Sequence, residues 1–223
     1  MNWRSWGNAD ADGYAAWAPY YAAEAHNPLM RVEQKAMLDL MPPVDGRTVL
    51  DAGCGTGRYA RILAAAGTRH VAGVDRSSAM LAHARGSGAA LVRADMRALP
   101  AGDETCDVIV SGLMLPDIAD LGIVTREWRR VLRPGGVLVY STLHPIGAEL
   151  GWTRTFETPH GTHTLPAAWH SIDEHRRACS AAGLIVDALV EPRLNPGDRG
   201  PMGTPRTGVP VALVVRARRP GSR

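Results

Sequence analysis

The sequence predicts an α/β domain built on a mainly parallel sheet with helices on both faces, and three observations predict it. First, 223 residues is about one and a half times the ~150-residue norm, which suits one such domain carrying an insertion. Second, Val- and Leu-rich runs of strand length alternate with helical patterns, the mark of parallel β-α-β crossovers whose strands are buried on both faces. Third, one of those runs ends in a glycine-rich turn that opens a helix. An apolar content of 45% with 21% charged residues excludes a disordered chain and a coiled coil. A core of this size needs neither disulfides nor a structural metal.

The elements follow in order. After a Trp-containing arm, Ala15 to Ala25 reads as a short helix. Leu29 to Met41 reads as a second, with Leu29, Val32, Ala36, Met37 and Leu40 near 3.6-residue spacing, and Pro42-Pro43 ends it. Strands are predicted at Thr48–Ala52, Val71–Asp75, Ala90–Asp95, Asp107–Ser111 and Gly136–Thr142, with helices between them at Gly57–Ala66, Ser77–Arg85 and Asp120–Leu132. Arg133-Pro134-Gly135-Gly136 is the turn into the fifth strand. From His144 to His170 the rhythm stops: this stretch is polar, holds three prolines and four of the eight histidines, and reads as an unstructured functional loop or lid. Ser171 to Ala182 returns as a helix, Leu184–Val190 as a strand, and Val209–Arg216 as the last strand. Glu191 to Gly208 is a Pro/Gly-rich connection. The expected organisation is one domain over residues 1–223, with an N-terminal helical cap at 1–43 and a cap insertion at 144–170.

Composition narrows the partners. The net charge of +3 is too small a surplus to indicate nucleic acid. Lys35 is the only lysine, a pattern we read as GC-rich codon bias, so the pI of 9.0 says little about partners. Arg216-x-Arg218-Arg219 reads as a solvated basic end. Cys54, Cys106 and Cys179 are far apart and odd in number, which argues for reduced thiols in a cytoplasm. No apolar run reaches ~18 residues and the N-terminus lacks a signal-like core, so a cytoplasmic protein without a membrane partner is expected.

The chemistry concentrates at VLDAGCGTGR, Val49 to Arg58. Glycines there let backbone approach a ligand closely. A dinucleotide loop has its glycines at G-x-G-x-x-G. Here Gly57 comes one position early, and Asp51 would repel a pyrophosphate, so a ligand with an ammonium or sulfonium centre fits better. Asp75 closes the second strand, about 20 residues after the loop, where an acid accepts ribose hydroxyls. Asp95, followed by Met96, closes the third, where a carboxylate can accept the amine of adenine. All three acids fall at the carboxyl edge of consecutive strands, where open α/β sheets bind ligands.

Together VLDAGCGTGRYA, VAGVDRSSAML, VRADMRALP, DVIVSGLMLPDI and REWRRVLRPGGVLVYSTLHP resemble the class I S-adenosylmethionine-dependent methyltransferases, especially the small-molecule "type 11" (ubiquinone/menaquinone-type) branch, from about Leu29 to Thr142. The resemblance implies a Rossmann-like seven-stranded sheet whose last strand is antiparallel. It implies S-adenosyl-L-methionine as cofactor, with Gly53, Gly55 and Gly57 along its methionine part and Asp75 on its ribose. Met80 or Arg76 would lie on the adenine face, Asp95 and Met96 at the adenine edge, and Ser111 to Leu113 on the methionine side. Trp17-x-x-Tyr20-Tyr21 matches an aromatic pair of the family, which makes Tyr20 a cofactor contact. The expected activity is methyl transfer to a small molecule, a secondary metabolite or isoprenoid-like acceptor, in a bacterial monomer or homodimer. A cyclisation on the same fold and a cofactor-binding protein without turnover are the alternatives.

A base is needed only for a protonated acceptor. His144, ending the fifth strand on the ligand edge, is the first candidate and His170 the second; a turn residue and a helix-flanking residue are their plain alternatives. His160-x-x-His163 lacks the Cys or carboxylate partners of a metal set, so no metal is expected. Trp152, Phe156 and Trp169 either wall an apolar substrate pocket or pack the insertion onto the sheet.

Overall fold

The computed structural model describes residues 13–198 and 208–221. The first twelve residues of the predicted cap and residues 199–207 of the Pro/Gly-rich connection therefore lie outside the described residues. A helical segment at 13–17 runs into a 3-10 turn, Ala18–Tyr20, instead of the helix predicted to Ala25. Pro19 is the reason: it has no N–H to donate, and its ring blocks the turn before it. Asn27 then caps helix α1 (Pro28–Leu40) by accepting from the Met30 N–H at 2.9 Å.

Strands β1 (Thr48–Ala52), β2 (His70–Asp75), β3 (Ala90–Arg93), β4 (Cys106–Ser111) and β5 (Leu132–Leu143) alternate with helices α2 (Arg58–Ala65), α3 (Ser78–Ala84) and α4 (Leu121–Val131). Beyond them come α5 (Ile146–Glu149), the hairpin strands β6 (Arg154–Thr158) and β7 (Gly161–Leu165), α6 (Ile172–Ala181), β8 (Ile185–Val190) and β9 (Ala212–Arg218). The main sheet has seven strands in the order β3-β2-β1-β4-β5-β9-β8. The strands from β3 to β5 pair in parallel, and β9 runs antiparallel to both β5 and β8. Helices cover both faces, because each strand sends alternate side chains to opposite sides. On one side Leu50, Ile109, Leu138 and Leu213 pack with Trp128 of α4 and Cys179 of α6. On the other, Val49, Val108, Val139 and Val214 pack with Met37 of α1 and with Tyr59 and Leu63 of α2.

Three expectations are corrected. The 144–170 insertion is ordered: α5 and the β6–β7 hairpin occupy most of it, paired from Arg154↔Leu165 to Thr158↔Gly161. β3 ends at Arg93, so Asp95 lies on the following loop, not at a strand end. The C-terminal arginines are not simply solvated: Arg216 and Arg218 both pair with Asp187 of β8, at 2.8 and 2.5 Å, while Arg219 reaches Glu104 and the Leu132 carbonyl. Among the described residues no helix is long and apolar enough to cross a membrane.

Candidate active site

Strand order reverses where β1 is flanked by β2 and β4, and at such a switch point the loops leaving adjacent strands diverge and open a crevice. A chamber of about 1140 Å³ lies there, beyond the roughly 300–1,000 Å³ typical of a small-molecule site. Its floor is the glycine loop, its roof the N-terminal segment and the hairpin.

The loop is shaped by hydrogen bonds from its own backbone. Gly53 and Cys54 donate to the Val74 carbonyl, and Gly55 donates to Asp75 Oδ2 at 2.8 Å. Asp75 Oδ1 accepts from the Ser77 N–H at 2.8 Å, so this carboxylate ties β2 to the loop while keeping lone pairs for a ligand. Gly53 is required twice over: its φ is +77°, and a Cβ would lie 2.5 Å from Met114 Cγ.

Asp51 is buried on the chamber floor, and its Oδ2 has no partner among the described residues. Burial pushes its pKa up to about 7, against the Ala60 N–H and the Arg58 charge, which lower it; Asp75 adds a smaller upward push. Asp75 is also raised, mainly by burial. Asp95 is lowered instead, because Arg97 donates to both its oxygens.

Nine of the residues singled out from the sequence meet at this chamber: Asp51, Gly53, Gly55, Asp75, Arg76, Met80, Asp95, Met96 and Leu113. Five do not. Tyr20 is 50% exposed and turned away, while its neighbours Trp17 and Tyr21 line the wall. Gly57 is the N-cap of α2, and a Cβ there would meet Ala84 and Ser87 at 3.2 Å, so it spaces two elements instead of facing the chamber. Ser111 is buried within β4. His144, just after β5, has Glu191 2.9 Å from its Nε2 and accepts the Ile146 N–H on Nδ1, and it does not line the chamber. His170 donates from Nε2 to the Ile118 carbonyl at 2.7 Å and flanks α6 outside the chamber. Neither of the two histidines expected as bases lines the chamber. Among the described residues no three His, Cys, Asp or Glu side chains gather as metal ligands.

Several wall residues were not foreseen. Glu33, fully buried on α1, accepts from Arg58 (2.8 Å), Tyr59 (2.9 Å) and Ser141 (2.5 Å). This fixes Arg58 and Tyr59 in the wall. A signal existed: Glu33 falls in phase with Met30 and Met37 on the buried face of α1. Ser141 also accepts the Leu113 N–H at 2.9 Å, holding Leu113 at φ +57°, a conformation that costs about 1–3 kcal/mol. In the roof, Trp17 stacks on Phe156 at 4.8 Å and Phe156 on His163 at 4.9 Å. Trp152 and Trp169 instead close on Gly147, where a Cβ would sit 2.5 Å from each. Tyr14, Asp117 and Arg154 form a hydrogen-bonded cluster between these walls.

The family described as a methyltransferase domain matches residues 50–140. The chain is 40% identical over 117 residues to a malonyl-[acyl-carrier protein] O-methyltransferase of Pectobacterium atrosepticum, covering 52% of this chain and 46% of that protein. It is 33% identical over 178 residues to the Serratia marcescens protein of the same description, covering 78% of this chain and 67% of the relative. The chain thus spans about half to two thirds of the length of these curated relatives. A crystal structure of an S-adenosylmethionine-dependent methyltransferase from Mesorhizobium loti superposes with a TM-score of 0.69 at 24% identity, over 84% of this chain and 98% of that one, a likeness of fold.

Proposed function

The chain belongs to the class I S-adenosylmethionine-dependent methyltransferases, and from that premise we propose that it methylates a carboxylate oxygen of a small acidic acceptor. The observation that carries the cofactor half of this reading is Asp51. A buried carboxyl oxygen without a partner is costly, and an ammonium group of the cofactor's amino-acid part is the donor it lacks. Gly53 and Gly55 leave room for that part, Asp75 keeps lone pairs for ribose hydroxyls, and Met80, Met96 and the Arg76 stem offer faces for adenine. Asp95 has to share its carboxylate with Arg97.

When bound, the cofactor supplies a methyl group on a sulfonium, and its passage to a carboxylate oxygen makes a C–O bond as the C–S bond breaks, with the electron pair left on sulfur and no proton moved. A carboxylate is already ionised at neutral pH, so the reaction needs no base. That agrees with His144 and His170 being committed elsewhere. The chain's share is alignment and exclusion of water by the stacked Trp17–Phe156 roof; alignment alone is worth up to about 7–11 kcal/mol. The relatives' names point to an acid as acceptor, and this turns our reading from an isoprenoid-like or secondary-metabolite acceptor towards a short acid, free or as a thioester.

Incubation with methyl-deuterated cofactor and a panel of short acids and acyl thioesters tests it. The expected product is a labelled, base-labile methyl ester. Calorimetry should show micromolar cofactor binding, weakened at least tenfold in Asp75→Ala through loss of charge-assisted bonds. An unlabelled or cyclised product, or no cofactor binding, overturns the reading.

A further inference from the structure

Arg154 opens β6 and brings a nearly buried guanidinium, 9% exposed, to the chamber wall. It comes from the insertion, outside the sheet and the glycine loop. Its Nη1 donates to Asp117 Oδ1 at 2.5 Å and to the Pro166 carbonyl at 2.9 Å, and its Nη2 donates to the Tyr14 hydroxyl at 2.5 Å. Tyr14 in turn donates to Asp117 Oδ2 at 2.5 Å, and burial together with Asp117 keeps that hydroxyl protonated far above its usual range. These three hydrogen bonds use three of the five N–H donors of a guanidinium. The remaining two have no partner among the described residues, and Arg154 lines the chamber.

A buried ion pair stabilises a fold little better than apolar side chains of the same size. Stability alone therefore does not account for a guanidinium in the chamber wall. Its planar fork matches a carboxylate, which accepts two parallel N–H bonds. We propose that Arg154 is the acceptor-binding residue of this enzyme: its two uncommitted N–H groups take the carboxylate of the acceptor, and Asp117 and Tyr14 act as positioning residues that fix the plane of the guanidinium. The proposal rests on the reading of the acceptor as an acid, and it assigns the acid to the roof of the chamber, opposite Asp51. Because Asp117 already offsets the charge of Arg154, the acceptor's negative charge is balanced by the cationic cofactor. Acid binding is then tighter beside a cationic cofactor analogue than beside the neutral demethylated product.

The test uses malonyl-N-acetylcysteamine and its primary amide as probes, with wild type, Arg154→Lys, Arg154→Gln and the double variant Arg154→Gln/Asp117→Asn. The double variant leaves no lone buried carboxylate, which guards against a variant that fails to fold. Expected are a loss of about 100-fold in kcat/KM for the acid in both Gln variants, carried mostly by KM, and cofactor affinity within twofold of wild type by calorimetry. Arg154→Lys, which keeps the charge and loses the fork, should retain an intermediate rate. Calorimetry of the acid should show tighter binding with sinefungin present than with S-adenosylhomocysteine in wild type, and no such difference in the double variant. If the double variant binds cofactor and esterifies the acid within threefold of wild type, Arg154 is a tie between segments and the proposal is wrong, while the function stands. If wild type labels an amine or a hydroxyl and no acid, the proposed function falls and the assignment falls with it.

Discussion

Asp51 shows how one side chain can be costly to the fold and useful to the site. Its pKa of about 7 in the folded protein lies above the value near 4 expected when unfolded. The native state therefore holds this proton more tightly. The stability it contributes is present below about pH 4 and is lost as pH rises through 7, a swing of roughly 4 kcal/mol at most. Asp51→Asn should raise the melting temperature of the ligand-free protein at pH 8 by about 5 °C or more, with little change at pH 4. The same variant should bind S-adenosylmethionine at least tenfold more weakly. In wild type, cofactor affinity should rise with pH up to about 7, since a cation favours the ionised carboxyl. Thermal melts at the two pH values and calorimetry across the range check both halves. A variant no more stable than wild type at pH 8 would mean that water already solvates Oδ2.

Helix α6 was legible at its start and not in its interior. Ser171 and Glu174 form a reciprocal capping box, a spacing that marks a helix N-terminus in any sequence. Nothing local announced that His175, one residue further on, is buried against Tyr140 of β5 with Nδ1 at 3.3 Å and Nε2 unpartnered among the described residues. Burial, helped by His170, lowers its pKa to about 4. The native state thus binds this proton less tightly than the unfolded chain, and the stability present above pH 6.5 is lost as pH falls through 4. Urea unfolding should show wild type losing about 2 kcal/mol between pH 7 and pH 5 on this account, and His175→Phe losing clearly less. An equal loss in both would place the acid sensitivity elsewhere. The hairpin illustrates the opposite case. Thr155, Thr158, Thr162 and Thr164 favour strands, yet only Phe156 and Leu165 of the pair are buried. A face with so few apolar residues carries almost no period-2 signal, and the prolines around it suggested a loop.

Across the whole molecule, what could be read from the sequence follows from where each part of the chamber comes from. The floor is built by contiguous stretches, β1 with its glycine loop, the end of β2 and the loop after β3, and local patterning located them. The roof gathers Tyr14, Trp17, Asp117, Arg154 and Phe156 from three separate segments, with Tyr14 103 residues from Asp117 and 140 from Arg154. No spacing rule links them, and only the folded chain puts them on one wall. The position of β9 between β5 and β8 has a consequence for how the protein is made. β8 leaves the ribosome before the strand that joins it to the sheet, so during synthesis the edge of β5 stays open until residues 212–218 arrive. Open apolar edges recruit other chains, and Leu213, Val214 and Val215, all fully buried in the finished fold, are what eventually close this one. A chain stopped at residue 207 should therefore aggregate, and a synthetic 208–221 peptide added during refolding should return it to solution by adding the missing strand; a truncated chain that stays soluble and melts cooperatively by itself would refute this. Each newly made molecule is thus exposed to its neighbours until β9 inserts between β5 and β8, and the speed of that step sets how crowded its surroundings can be.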